Sequence, residues 1–264
     1  MLSGCIIVAD VDADWDWNGR WVERDQSVGE VNAVHFSARG TLYITQGKHN
    51  ELKLEGHKDA LAQVSIEERS GTLYIESNSG IRQWYSSGHS GKEPVYRLSI
   101  RDLEELRHGG RGTLKMGPLT TENLQIESSR HANTYVASVN AKHIALTAAD
   151  HGRINVETLD AETLRIQVED HGDVYVEDGN VLDTKLRAED HGEIWIAGNA
   201  DSMQVVSSDY SNIDAEAFTV SIATINAEDF SRTKVNAAQQ ANLDQQDRAR
   251  VDIQGDAKIF AEQE

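Results

Sequence analysis

An Asp-His-Gly triplet occurs three times at intervals of 20 residues, at positions 150–152, 170–172 and 190–192. Imidazole and carboxylate groups are common ligands of zinc and other transition metals, and carboxylates alone suit calcium. If the triplets stack, a divalent cation would relieve the repulsion between neighbouring carboxylates. The candidate cation ligands are therefore Asp150, His151, Asp170, His171, Asp190 and His191.

The same triplet also suits an exposed turn. Asp accepts hydrogen bonds from nearby backbone N–H groups, and Gly tolerates positive φ. The glycine-rich nonapeptide of calcium-binding β-solenoids is missing from the sequence. We therefore expect no cofactor, and the divalent cation is the alternative to a purely structural turn.

A second candidate site consists of aromatic residues that follow the turns at the outward position between two apolar residues. These residues are Tyr135, Tyr175 and Trp195. Exposed rings with polar neighbours suit contacts with proteins or with the flat faces of sugars. The alternative is that the rings pack across strands and stabilise the sheet. Trp84 and Tyr85, in the Gly/Ser-rich segment 78–93, form a further candidate contact site.

No catalytic motif is present in the sequence. It contains no GxSxG, HExxH, Walker-type or GxGxxG pattern in a suitable context. Carboxylates are abundant but spread along the repeat, so no pair is singled out for acid–base chemistry. We expect a protein that is not an enzyme. A polysaccharide lyase or hydrolase on the same fold is the alternative.

Short strands on both sides of each turn are predicted to hold these residues in place. Apolar residues alternate with polar ones over 144–148 and again over 152–156, which predicts two half-buried strands. Softer copies of the turn follow at 209–211, 229–231 and 247–249. A constant period of about 20 residues predicts an all-β, single-stranded β-helix or β-solenoid. A β-sandwich, the competing fold, does not require a constant period.

Stacked coils would place like side chains in columns inside the solenoid, about 4.8 Å apart. The predicted inward column is Val136, Val156, Val176, Ile196, Ala215, Val235 and Ile253. A shorter third side is predicted at Val139, Leu159 and Val181. We expect a right-handed coil, the commoner hand of parallel crossovers.

The chain divides into four predicted segments. Residues 1–28 are a tether or a capping strand, 29–103 a further all-β segment, 104–258 the β-helix repeats and 259–264 a tail. If the solenoid associates with itself, we expect open, unpaired rungs near 104–123 or 247–258.

The order of short motifs resembles the bacterial head GIN domain family over residues 29–258. The motifs are Val34-x-Phe36, Leu42-Tyr-Ile44-x-Gln-Gly47, Gly71-x-Leu73-x-Ile75 and Leu98-x-Ile100-x-x-Leu103-x-x-Leu106-x-x-Gly109. The resemblance implies an autotransporter-adhesin-like protein, secreted or lipid-anchored, with a pectin-lyase-like β-helix and no recognised catalytic residues. The Asp-His-Gly turns depart from the Gly-Ser-Gly-like turns more usual there, so turn-based binding is not carried over.

Composition restricts the partners and the compartment. A net charge of −19 argues against nucleic acid and anionic membrane surfaces. The only cysteine, Cys5, allows no intramolecular disulfide. Leu2-Ser3-Gly4-Cys5 resembles the lipoprotein cleavage box, although no charged and apolar leader precedes it here. We therefore expect membrane attachment only through a lipid on Cys5.

These observations together predict an exported cell-envelope protein, either a periplasmic or outer-membrane lipoprotein or one at the cell surface. Its predicted role is adhesin-like binding or scaffolding, with a β-helical face presented to a glycan or a cell-surface protein. The enzyme described above is the first alternative. The second is a structural solenoid that forms homo-oligomers.

Overall fold

The computed structural model describes residues 20–77 and 93–261. Nearly all of these residues belong to a β-solenoid of about 8 turns, which confirms the predicted fold class. The helix α1 spans Lys58–Leu61, and no helix in the described ranges is long and apolar enough to cross a membrane. The strands are β1 Trp21–Ser27, β2 Ala33–Phe36, β3 Thr41–Gln46, β4 Glu51–His57, β5 Val64–Arg69, β6 Thr72–Ser77, β7 Val95–Ile100, β8 Glu105–Gly109, β9 Thr113–Met116, β10 Leu119–Thr120, β11 Asn123–Ser129, β12 Asn133–Ala148, β13 Arg153–Val168, β14 Asp173–Ala188, β15 Glu193–Ser207, β16 Asn212–Ala227, β17 Arg232–Gln245, β18 Arg250–Gln254 and β19 Lys258–Ala261.

Each long strand forms most of one coil. In β12 the pairing with β13 covers residues 133–136, 138–141 and 143–148, and each residue lies opposite the residue 20 positions later. We call the sheet that follows each turn the front sheet, the short one the side sheet, and the sheet that precedes each turn the back sheet. Alternate residues point inward, as the period-2 pattern predicts.

The inward residues form the predicted apolar columns. Six members of the predicted inward column are at most 2% exposed, and Ile253 is half-buried at the end of the stack. Val139, Leu159 and Val181 are buried on the side sheet. Leu159, however, lies opposite Gly179, and Val181 lies opposite Ala161. The buried apolar position of the side sheet therefore shifts by two residues between β13 and β14, whereas the sequence predicted that Val139, Leu159 and Val181 would align.

The Asp-His-Gly turns have positive φ at both central residues, for example 47° at Asp170 and 66° at His171. The Gly172 N–H donates to the carbonyl of Glu169 at 2.8 Å, which closes the turn. Two positive φ angles are typical of type I′ turns. Asp and His are among the few residues other than Gly that adopt this conformation readily, so the triplet satisfies a backbone requirement.

The later turns differ in backbone conformation. Asp209 and Asp229 keep positive φ, whereas Tyr210 and Phe230, which follow them, do not. Positive φ at the first central residue alone is typical of type II′ turns. Where His151 N–H donates forward to the Asp170 carbonyl, Phe230 N–H donates back to the Asp209 carbonyl. The peptide group between the two central turn residues is therefore flipped: its N–H points to the following coil in the type I′ turns and to the preceding coil in the type II′ turns.

The glycine of the triplet is required by close packing between coils. A Cβ atom at Gly172 would lie 2.3 Å from the carbonyl oxygen of Ala148 in the preceding coil. Ser211 and Ser231 occupy the equivalent position in the type II′ turns and are buried there. The change from Gly to Ser thus coincides with the change in turn type.

The N-terminal strands continue the same stack in an order that differs from the chain order. Strand β2 pairs in parallel with both β6 and β8, and β3 pairs with both β7 and β9. The coil formed by β2 and β3 is therefore inserted between two coils that follow it in sequence. The predicted division between residues 103 and 104 falls inside this continuous structure.

The two ends of the solenoid differ. At the N-terminal end, β1 and β4 lie antiparallel on the front sheet and β5 lies antiparallel on the back sheet. At the other end, β18 and β19 each pair with β17 only among the described strands. The open edge expected near 104–123 is absent at β8 and β9, which have partners on both sides. Strand β10, in the same range, pairs with β12 alone among the described strands. Within the described ranges, the edge at 247–258 is open.

A buried histidine and two buried hydroxyl residues interrupt the apolar interior near the N-terminal coils. His108 is 1% exposed, and its Nδ1 lies 2.9 Å from Oγ1 of Thr134, which in turn donates to Ser128 Oγ at 3.4 Å. Nε2 has no hydrogen-bond partner of ordinary geometry in the described structure. Burial is the main cause that lowers the pKa of His108 to about 4, and a polar contact with the Gly112 backbone offsets it only partly.

Candidate functional site

The histidines of the turns form a stack of rings along one corner of the solenoid. We call this the ring column. Its members are His131, His151, His171, His191, Tyr210 and Phe230. Successive ring centroids are 4.8 to 5.1 Å apart, which follows from the strand spacing. Arg248 lies over the last ring, with its guanidinium carbon 5.4 Å from the Phe230 centroid.

The ring column does not resemble a metal centre. The rings of His171 and His191 are nearly parallel, with an interplanar angle of 1°. Nitrogens in parallel rings point sideways and do not converge on the space between coils. In the described residues, no group of three or more His, Cys, Asp or Glu side chains could hold a metal ion. A cation at Asp150, His151, Asp170, His171, Asp190 and His191 stays a prediction that this geometry does not favour.

A second column runs along the outside of the front sheet. The strand registers place Tyr135, Asn155, Tyr175 and Trp195 opposite one another in consecutive coils. The predicted alignment of Tyr175 with Trp195 is therefore present. Tyr135 is 43% exposed, whereas Tyr175 and Trp195 are half-buried. The ring faces of Tyr175 and Trp195 are therefore only partly accessible to a ligand.

The same column continues into the N-terminal coils, where the repeat pattern did not predict it. Lys115 lies opposite both Tyr135 and Tyr43, and Tyr43 lies opposite Arg97. The interruption of chain order by β2 and β3 brings these residues together, so a fixed period could not reveal them. We call the whole set the front column: Arg97, Tyr43, Lys115, Tyr135, Asn155, Tyr175 and Trp195.

The N-terminal half of the front column is basic and aromatic. The guanidinium of Arg97 lies 5.0 Å from the centroid of the Tyr43 ring, and Nζ of Lys115 lies 6.0 Å from it on the other side. Both distances fall within the range of cation–π contacts. Arg97 also forms an ion pair with Glu55 at 2.9 Å. Lys115 has no carboxylate partner within ion-pair distance in the described part of the chain.

The C-terminal half of the front column is surrounded by carboxylates. Tyr175 Oη donates to Glu193 at 3.1 Å, and Arg153 pairs with Asp173 at 2.6 Å. Burial, with the charges of Asp173 and Glu193, raises the pKa of Tyr175 to about 12. The phenol therefore stays a hydrogen-bond donor over the physiological range. Trp195 lies opposite Asp214 in the next coil.

A shallow depression of about 610 Å³ on the side sheet bears on the enzyme alternative. Glu122, Lys142, Asp160 and Glu162 line it. Lys142 donates a hydrogen bond to Glu122 and holds the pKa of that carboxyl below its ordinary value. A general acid of a glycosidase needs the opposite shift. Asp160 accepts a hydrogen bond from Asn180 at 3.0 Å.

Three predicted site residues lie outside the described ranges. These are Trp84 and Tyr85, the candidate contact residues of the Gly/Ser-rich segment, and Cys5, the candidate lipidation site. Their roles stay predictions.

Comparison with known proteins identifies relatives of the whole described solenoid. A family model described as "Putative auto-transporter adhesin, head GIN domain" matches residues 31–158 and again residues 122–257. The two matches overlap and together extend from the inserted N-terminal coils to β18. No curated protein matches the sequence significantly.

Solved structures from Bacteroides and Parabacteroides species share the fold at low sequence identity. A putative adhesin from Bacteroides fragilis aligns with a TM-score of 0.60 and 18% identity, covering 91% of this chain and 97% of its own. A putative adhesin from Parabacteroides distasonis aligns with a TM-score of 0.64 and 13% identity, covering 93% and 95%. A putative lipid binding protein from the same organism aligns with a TM-score of 0.60 and 16% identity, covering 92% and 93%.

Proposed function

Because this chain belongs to the putative auto-transporter adhesin, head GIN domain family, we propose that it is a non-catalytic, adhesin-like binding module of the bacterial cell envelope. The Leu2-Ser3-Gly4-Cys5 sequence supports, as part of this proposal, export and attachment through a lipid on Cys5. The solenoid would then present its front sheet to a partner, which we propose to be a glycan.

The front column is the structural feature that best supports this proposal. Aromatic rings occur at four of its seven positions, and the strand registers hold them in a line across neighbouring coils. Rings in a line, with amide and hydroxyl groups beside them, suit an extended chain of sugars better than a compact ligand. The Tyr175 hydroxyl and the Glu193 carboxylate to which it donates provide hydrogen-bonding groups on the same surface.

The test is a glycan-array binding screen of the chain and of the Tyr175→Ala/Trp195→Ala double variant. We expect specific binding by the wild-type chain and a weaker affinity in the folded double variant, because two of the four rings of the front column are removed. The matched control is Tyr210→Ala/Phe230→Ala, which removes two exposed rings from the ring column instead. Circular dichroism should show that all three proteins are folded. If both double variants lose binding equally, or the wild type binds no glycan, the front column is not a glycan site.

Self-association is the second candidate function, and the open C-terminal end favours it. Ile259 is 52% exposed and Phe260 is 45% exposed on β19, whose outer edge pairs with no other strand among the described residues. Exposed apolar residues on an open edge are typical of strand-to-strand association. Sedimentation of the wild type and of an Ile259→Lys/Phe260→Lys variant would test it. A wild-type chain that stays monomeric at high concentration would exclude this role.

A further inference from the structure

We propose that the N-terminal half of the front column binds an acidic polysaccharide, with Lys115 facing its carboxylate or sulfate groups between the rings of Tyr43 and Tyr135. This inference rests on the proposed glycan-binding function and names the chemical class of the ligand. The polymer would lie across the strands, along the axis of the solenoid.

The first support is the absence of carboxylates from this part of the front sheet. Strands β7, β3 and β9 are adjacent in the sheet and contain no Asp or Glu. The same is true of the first four residues of β12 and of β13, Asn133–Val136 and Arg153–Val156. In a chain with a net charge of −19, five neighbouring strand segments free of acidic residues form a local exception.

The second support is the arrangement of the three cations in these segments. Arg97 at one edge is paired with Glu55, and Arg153 at the other edge is paired with Asp173. Lys115 lies between them, is exposed, and has no such partner within the described residues. Its charge is therefore available to an anionic ligand, and the paired arginines separate it from the carboxylates beyond them.

The third support is the order of residues along the column. Tyr43, Lys115 and Tyr135 lie on consecutive strands, which places a ring, a cation and a second ring about 4.8 Å apart. An extended acidic polysaccharide offers sugar faces and negative groups at comparable repeat distances. Asn133, two residues before Tyr135 on β12, adds a partly exposed amide that can donate a hydrogen bond to a sugar hydroxyl.

Electrostatic repulsion elsewhere on the surface should restrict an acidic ligand to the N-terminal half of the front column. The rest of the surface carries most of the negative charge and repels a polyanion, and this repulsion reaches roughly 8–10 Å at physiological salt. The C-terminal half of the front column lies next to Asp173, Glu193 and Asp214 and should therefore bind acidic sugars less well. The N-terminal half of the front column should therefore select acidic ligands both through the charge of Lys115 and through the negative charge of the surface around it.

The experiment compares oligosaccharides of one length that differ in charge. Uronate-containing and sulfated oligosaccharides are titrated against neutral ones, with the wild-type chain and three variants. Lys115→Gln removes the unpaired cation, Lys115→Arg keeps the charge, and Lys185→Gln removes another exposed lysine, on the back sheet, as the matched control.

We expect the wild type to bind the acidic oligosaccharides at least tenfold more tightly than the neutral ones. Lys115→Gln should lose at least fivefold of that affinity, whereas Lys115→Arg and Lys185→Gln should retain it. The affinity for the acidic ligands should fall as salt is raised, because screening weakens the charge interaction.

Three results would overturn the inference, and they separate it from the proposed function. Equal binding of neutral and acidic oligosaccharides would overturn the acidic ligand and leave glycan binding intact. Equal losses in Lys115→Gln and Lys185→Gln would show a general charge effect without a site. Binding to phosphatidylglycerol vesicles with no binding to any oligosaccharide would overturn the acidic ligand and the proposed glycan function together.

Discussion

The ring column and the front column both run along the solenoid, one at a corner and the other on a sheet. The ring column follows the repeat: four histidines and two other aromatic rings occupy one turn position in consecutive coils. The front column departs from it, with lysine, tyrosine, asparagine and tryptophan at equivalent positions. At the turn, the backbone conformation restricts which residue types fit, whereas an outward position on a strand accepts many residue types.

The difference separates residues that build the coil from residues that are free to bind. Asp and His recur because two successive residues must adopt positive φ, and Gly recurs because a Cβ would collide with the preceding coil. Neither constraint applies to a strand residue that points outward. Variation within the repeat, rather than the repeated triplet, therefore marks the candidate binding surface in this protein.

The largest expected effect concerns a departure from the repeat inside the core, at His108. The unfolded chain protonates this histidine below about pH 6.5, whereas the folded chain resists protonation until about pH 4. Stability should therefore fall as the pH falls through this window, by about 3 kcal/mol from this group. Urea unfolding at pH 7 and pH 4.5 measures it.

His108→Asn provides the control for that prediction, because an amide does not titrate in this range. Carboxylates also contribute to the pH dependence, so the difference between the two proteins isolates the histidine. If wild type and variant lose the same stability on acidification, the buried imidazole does not have the lowered pKa.

The second prediction tests the requirement for glycine in the turn. Gly172→Ala should lower the free energy of unfolding by about 2–3 kcal/mol, since the new Cβ forces the coils apart. Gly179→Ala is the matched control, because a Cβ at that buried glycine would meet its nearest neighbours at an ordinary 3.5 Å. Chemical denaturation of both variants should separate them clearly. Equal stabilities would show that the turn relaxes at little cost.

The third prediction compares one exposed tyrosine from each column. Tyr135→Ala should weaken glycan binding about tenfold, or about 1.4 kcal/mol, and leave stability nearly unchanged. Tyr210→Ala, at 59% exposure in the ring column, should leave binding unchanged. Titration of the oligosaccharide preferred by the wild type measures both. A binding loss at Tyr210 would remove the functional distinction between the columns.

The smallest expected effect is the loss of one ring from the middle of the ring column. His171→Asn keeps a residue that tolerates positive φ and removes two ring contacts at 4.9 and 4.8 Å. We expect a loss of about 1 kcal/mol in stability and no change in glycan binding. Thermal unfolding and a binding titration would check the two parts. No loss of stability would mean that the exposed stack contributes nothing.

Much of the fold could be predicted because the repeat is local. The alternation around each turn places Val156, Val176 and Ile196 inside and Tyr175 and Trp195 outside, in register. The Asp-His-Gly triplet likewise predicts the turn directly from backbone preferences. The cation at these turns could not be judged from spacing alone, because stacking alone does not determine where the ring nitrogens point.

The coil, its period, its turns and the inward column can be read from the amino-acid sequence, since each follows from side-chain alternation and from φ preferences within about 20 residues. The position of β2 and β3 between coils that follow them, which brings Tyr43 and Lys115 beside Tyr135, is visible only in the folded chain. The physical reason is that strands pair through backbone hydrogen bonds, which are the same for every residue type. The choice of neighbour is then made by packing between segments that are distant in sequence, and no local pattern records it.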